Sequence, residues 1–219
     1  LLLNIGGIAN VTAIPAGSTP HNGVCAFDLG PGNSLVDAAV LHLTGGAERY
    51  DDDGRRADGG TANEEWVERL MKHEFFRRPP PKTTGREEFG TFYVAELMHQ
   101  ADLAPADLLA TLTLFTARSI AAGIDRFADP EGQIEEVFVG GGGVRNSHLM
   151  ALLEEVLSPR RVRPIDDLGV TADAKEALAF AVLANETLMG RAGNVRGATG
   201  ATMDAVLGKI SLPPISERE

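Results

Sequence analysis

Leu1 to Ile5 is an apolar run that stops at Gly6-Gly7, and a β pattern resumes at Val11-Thr12-Ala13-Ile14. The first run reads as a buried strand, and the whole segment reads as a hairpin closed by a tight glycine turn. Glycine at such a turn accepts positive φ and lets backbone N–H groups approach an anion closely. Phosphate oxygens can then be held with no side chain in the way. Taken alone, a Gly-Gly hairpin is more often only a turn.

Other segments add to it. Val24-Cys25-Ala26-Phe27 is a further apolar strand, and Asp28 follows it where the chain opens into a Gly/Pro-rich turn. A helix begins at Asn33-Ser34, with Asp37 inside it. Asp28 therefore falls at the C-terminal end of a strand, where open α/β sheets place their ligands. Glu135 to Val139 is another strand and runs into Gly140-Gly141-Gly142-Gly143, then Val144-Arg145-Asn146 and an apolar-periodic helix from Ser147 to Leu157. Four consecutive glycines between a strand and a helix leave no side chain between the backbone and a flat ligand. The expected occupant is a nucleotide's base or sugar. Phosphate-cradling glycines combined with a carboxylate at a strand end point to phosphoryl transfer.

Between residues 62 and 128 the pattern is helical, with Glu64 to Lys72 and Thr91 to Ala101 as amphipathic segments separated by Pro79-Pro80-Pro81. Pro105 to Phe127 reads as a buried scaffold helix packed on the sheet. The loop from Lys82 to Glu87 has small hydroxyls and a glycine flanked by Lys82 and Arg86, an anion-friendly surface. Arg86 there either pairs with a neighbouring carboxylate or contacts a ligand or subunit. The last third alternates again: a strand from Arg161 to Ile165, a helix from Ala172 to Met189 carrying Glu176, and a closing loop and terminal strand from Asn194 to Ile210.

At 219 residues the chain can bury about two-thirds or more of its unfolded surface, enough for one α/β domain with a helical insertion. Cys25 is the single cysteine, which excludes an internal disulfide and a cysteine-rich zinc site. No apolar stretch is expected to approach the ~18 residues that span a membrane. The net charge of −11 argues against nucleic acid as a partner and favours a small-molecule ligand. Acidic residues cluster at Asp51-Asp52-Asp53 and in the tail, and the run Asp51 to Asp53 lacks the spacing of a calcium loop.

The chain resembles the C-terminal part of the anhydro-N-acetylmuramic acid kinases, within the actin, Hsp70 and sugar-kinase superfamily. The resemblance is carried by Asn4 to Thr12, Asp28 to Asn33 with Asp37, Tyr50-Asp51 with Gly54, and Pro80-Pro81-Lys82-Thr83-Thr84-Gly85-Arg86-Glu87. It continues through Gly140 to Asn146, Glu176 to Ala181, Gly193-Asn194 and Thr199-Gly200-Ala201. It implies a ribonuclease-H-like C-terminal lobe, a mixed sheet flanked by helices, with a helical insertion at about residues 50–104. The chain starts with Leu inside a strand and reads as a fragment, inactive alone, whose N-terminal lobe would supply the other half of the ATP site.

The resemblance also implies the chemistry. Water would attack C1 of 1,6-anhydro-N-acetylmuramic acid while O6 takes the γ-phosphoryl group of ATP, giving N-acetylmuramic acid 6-phosphate. Asp28 would be the general base, while Asn33 and Glu176 would contact the sugar. Asn4, Gly6, Gly7, Asn10, Gly140 to Gly143 and Asn146 would bind ATP, and Mg²⁺ would bridge phosphate oxygens through unassigned ligands. A bacterial cytoplasm, peptidoglycan recycling and a homodimer belong to the same expectation. One position departs from the pattern: Leu29 stands where Thr is expected, removing a hydroxyl beside Asp28. Another two-lobed sugar kinase, an Hsp70-like ATPase lobe and a silent binding domain are the rival readings.

Overall fold

The computed structural model describes residues 1–19, 22–172 and 174–211. A five-stranded mixed sheet lies at its centre, in the order β3-β2-β1-β4-β5. Strands β1 (Leu2–Ile5), β2 (Ile8–Ala13) and β3 (Cys25–Pro31) are antiparallel neighbours, whereas β4 (Glu136–Gly140) and β5 (Arg161–Pro164) continue the sheet parallel to β1. The second strand starts at Ile8, earlier than the β pattern at Val11 indicates, because pairing runs back to the turn through Ile5 and Ala9.

The strand alternation has a physical consequence. Leu3, Ile5, Ala9, Val11, Phe27, Leu29, Val137 and Val139 point to one face and are buried there. They meet Ala117 and Ile120 from α5 (Pro105–Gly123), Ile124 just after it, and Leu149 and Leu153 from α6 (Ser147–Val156). The N-terminal half of α5, with Leu108, Leu109, Leu112 and Phe115, builds a second core. Its partners there are α1 (Ser34–Leu43), α2 (Arg55–Asp58), α3 (Glu64–Leu70) and α4 (Thr91–Gln100). Phe75, Phe89 and Phe115 are fully buried in or beside it, each contributing roughly 1.5–3 kcal/mol by burial.

Helix α5 widens into a π turn at Ile124–Ala128. The stretch Pro105–Ala128 is long and apolar enough to cross a membrane, which corrects the expectation that no segment reaches that length. Of its apolar 18-residue segment 83% is buried inside the protein, as a core helix requires.

Two further corrections concern the end of the chain. Helix α7 spans Lys175–Leu188, shorter than the periodicity suggested, and none of its residues is buried. Residues 194–211 form no strand. They contain the short helix α8 (Arg196–Thr199) and a loop clamped by Asn194, which donates to Met203 O at 3.0 Å and accepts from Ala205 N at 2.7 Å. Gly193 N also donates to Ala205 O at 3.0 Å, so the backbone groups a strand would use are occupied locally. The acidic tail lies outside the described residues.

Candidate functional site

The sheet registers place four of the sequence candidates in one row. Gly140 on β4 is opposite Asn4 on β1, Asn4 is opposite Asn10 on β2, and Asn10 is opposite Asp28 on β3. Directly opposed residues share a face, and the side chains of Asn4, Asn10 and Asp28 are half-buried on the face away from the first core. The polar positions of three alternating strands thus converge on a single stripe.

The register shifts between Ala9 and Asn10, so β3 carries one extra residue, Leu29, beside Asp28. Leu29 is fully buried and packs so closely on α5 that a Cβ on Gly123 would lie 2.5 Å from its Cδ2. The side chain that replaces the expected Thr therefore points into the core, away from the Asp28 face. Hydroxyl contact reaches Asp28 from elsewhere. Thr83 Oγ1 donates to Asp28 Oδ2 at 2.7 Å, Thr84 N donates to the same oxygen at 2.8 Å, and Asp28 N donates to Lys82 O at 3.1 Å. Oδ1 accepts no hydrogen bond from any described residue. The Pro-Lys-Thr-Thr run and Asp28, 55 residues apart, form one unit.

The glycine turn is a junction between the hairpin and α1. The carbonyls of Gly6 and Gly7 accept from the N–H groups of Asn33, Gly32 and Ser34, which fixes the start of α1 on the hairpin. Gly6 N donates to Ile8 O at 3.2 Å, whereas Gly7 N has no acceptor among the described residues. Arg86 lies over Gly7, with its Nε and a terminal nitrogen each 3.5 Å from where a Cβ would stand. The same guanidinium attracts Asp37, whose carboxyl is nevertheless pushed up to about 6 by burial. Arg86 therefore faces both a carboxylate and the turn. Asp37 is a candidate that the sequence placed only as part of a motif; its half-buried position became visible once α1 was docked.

The three glycines after β4 divide into two kinds. Gly141, at φ +84°, and Gly143 would each drive a Cβ to 2.6 Å or less from Ile5, so their missing side chains serve packing against β1. Gly142 faces outward, with only Asn33 Nδ2 within 4 Å of a would-be Cβ. It lines a cleft of about 290 Å³ together with Asn33, Asp37, Tyr50, Asp53 and Asn146. Asn146 Oδ1 caps α6 by accepting from Leu149 N at 2.9 Å.

The acidic turn forms the cleft's other wall. Asp51 accepts from Arg56 N and Ala57 N, and Asp53 accepts from Ser147 N at 3.2 Å. Two of the three carboxylates are thus helix-terminal acceptors. Among the described residues no group of three or more His, Cys, Asp or Glu side chains converges to hold a metal.

Glu176 is exposed in the first turn of α7 and makes no hydrogen bond or ion pair among the described residues. Its neighbour Lys175, which sequence reasoning passed over, reaches the row: Nζ donates to Asn4 Oδ1 and lies 3.6 Å from where a Cβ on Gly140 would be. A helix-start lysine gave no signal in the sequence, because its reach depends on how α7 is set against β1 and β4. Lys82 is likewise turned from the role expected of it. Its ammonium is drawn inward over aromatic rings and does not present an anion-binding surface.

Comparison with known proteins supplies the family. Residues 1–213 match the family model described as anhydro-N-acetylmuramic acid kinase. A protein of that name from Salinibacter ruber is 46% identical over 215 residues, covering 97% of this chain and 53% of the relative. One from Caldanaerobacter subterraneus is 45% identical over 214 residues, covering 96% and 54%. One from Bacillus cereus is 42% identical over 218 residues, covering 98% and 56%. The chain spans about half the length of the curated relatives it matches.

Proposed function

We propose, from the premise that this chain belongs to the anhydro-N-acetylmuramic acid kinase family, that it forms the sugar-opening half of such an enzyme's active site. The reaction couples two steps. Water adds to C1 of the 1,6-anhydro sugar and loses a proton, the C1–O6 bond breaks, and O6 takes the γ-phosphoryl group of ATP. N-acetylmuramic acid 6-phosphate and ADP result, with the water oxygen retained at C1. Ordinary glycosidases need a second carboxyl group to protonate the leaving oxygen. Here phosphorus captures that oxygen, so one carboxylate suffices.

The observation that carries the reading is the row from Gly140 through Asn4 and Asn10 to Asp28. It ends at a carboxylate with one oxygen held and the other unengaged among the described residues. We assign Asp28 as the base that takes the water proton. Gly7 N and the Lys175 ammonium, near the Asn4 end, face the phosphates, where positioning and charge neutralisation supply most of the catalysis. The cleft beside Gly142, with Asn33, Tyr50 and Asn146, takes the nucleoside. Glu176 contacts the sugar. A magnesium ion would draw its ligands mainly from the phosphates and water, in keeping with its habit of binding few protein carboxylates. The sheet order supports a sugar-kinase-like lobe, and the remaining length of the relatives supports a second lobe in the whole protein.

The test is product mass spectrometry with the complete protein, ATP, Mg²⁺, anhydro-N-acetylmuramic acid and ¹⁸O-water. A ring-opened sugar phosphate carrying one ¹⁸O is expected, with the rate falling by ~10²–10⁴ in Asp28→Asn, the range for losing a general base. Absence of that product from the wild type, or full activity in the variant, would overturn the assignment.

A further inference from the structure

Lys82 occupies a place that neither substrate binding nor simple packing explains. Its Nζ sits 4.4 Å from the centroid of Phe75, 4.9 Å from Phe127 and 5.8 Å from Phe27, within the range at which an ammonium is attracted to an aromatic face. It also donates to Phe75 O at 3.3 Å. The three rings come from different places. Phe27 precedes Asp28 on β3, Phe127 lies in the π turn after α5 and packs edge-on to Phe27 at 6.1 Å, and Phe75 belongs to the second core. The lysine thus pins its own loop to both cores at once.

What that loop does next links the cage to the chemistry. Lys82 O accepts from Asp28 N, and the two residues after Lys82 both donate to Asp28 Oδ2. Thr84 Oγ1 turns back to Glu88 at 2.6 Å, which closes the turn. We propose that Lys82 is a positioning residue whose caged ammonium holds the Thr83-Thr84 turn on Asp28, so that one carboxylate oxygen is fixed and the other is aimed at the reacting water. The proposal rests on the reading of Asp28 as the base. A methionine or leucine would fill the same volume, yet neither could bond to Phe75 O or gain from the ring faces.

The charged surroundings make the anchor sensitive to pH. Arg126 and Arg78 oppose the ammonium, Asp28 and Glu88 favour it, and burial is the largest influence, bringing Lys82 down to about 8. The anchor is charged at neutral pH and loses its charge as pH rises through that value.

The experiment uses the complete protein with Lys82→Met, Lys82→Arg, Thr83→Val and Asp28→Asn, read by steady-state kinetics across pH and by hydrogen exchange at the Thr84 amide. Lys82→Met is expected to lower kcat by ~10-fold or more with KM for the sugar little changed, as loss of alignment does. Thr84 exchange should quicken by about the same factor, because the amide's hydrogen bond to Asp28 opens more often. Lys82→Arg, which keeps the charge, should recover much of kcat and move the alkaline limb of the rate profile to higher pH. Thr83→Val, which leaves the cage intact, should lower kcat while the limb stays in place. Unchanged Thr84 exchange in Lys82→Met overturns the proposal, as does unchanged kcat in that variant when Asp28→Asn is inactive. If Asp28→Asn is active, the base assignment fails instead, and Thr84 exchange alone decides whether Lys82 holds the turn.

Discussion

Asp37 has a half-buried carboxyl raised to about 6 by burial, with Arg86 pulling the other way. A carboxyl raised in the fold binds more protons folded than unfolded between its ordinary value near 3.9 and 6, so its effect on stability has a definite sign. Stability falls as pH climbs through that window, and the ionised form is a net cost above it. Asp37→Asn should therefore raise the denaturation midpoint at pH 7, and the gain should vanish near pH 4. Urea melts at the two pH values check it, and an equal gain at both would show that charge is not the cause. Leu29 makes the matching point about sequence reading. Its missing hydroxyl matters to Asp28 only if the side chain faces the site, yet the bulge turns it onto Gly123 and Thr83 supplies the hydroxyl contact.

At the scale of elements, the hairpin, α1 and the turn after β4 meet through glycines whose roles differ. A Cβ on Gly32 would stand 2.4 Å from Gly6 O and 3.1 Å from the Ile8 backbone, so nothing flexible can give way. Gly32→Ala should destabilise by about 1–3 kcal/mol, the usual cost of forcing atoms into a packed junction. It should also lower activity by shifting α1 and Asn33. Gly142→Ala meets no such barrier, and its denaturation midpoint should stay close to the wild type while ATP binds more weakly. Equal melting behaviour of the two variants would contradict this division. The hairpin, the strand before Asp28 and the long α5 were legible because each is a local pattern of apolar residues and glycines. The terminal strand was misread because the side chain of Asn194 satisfies the backbone groups that pairing would need.

Across the whole molecule, α5 joins two cores, one under the sheet and one among the helices, while α7 and the segment after it remain outside both. Phe180 is 71% exposed and Leu188 70%, a large apolar surface for one helix. The isolated 219-residue chain should therefore bind a hydrophobic dye in its folded state. Phe180→Ser with Leu188→Gln should reduce that binding and leave the melting temperature within about a degree, since surface changes away from packed features cost little. A fall in melting temperature would mean that these side chains are packed in solution. Periodicity and glycine placement, which depend on neighbours along the chain, determined by themselves the α/β class, the strand leading into Asp28 and the glycine turns, but not the strand's end, which lies at Pro31 and leaves Asp28 in mid-strand. Tertiary structure alone decided the alignment of Gly140, Asn4, Asn10 and Asp28, the closure of the Lys82 loop on Asp28 and the reach of Lys175 to Asn4. Each of those joins segments far apart in sequence, and their register is chosen by how apolar faces pack, a quantity no local pattern contains.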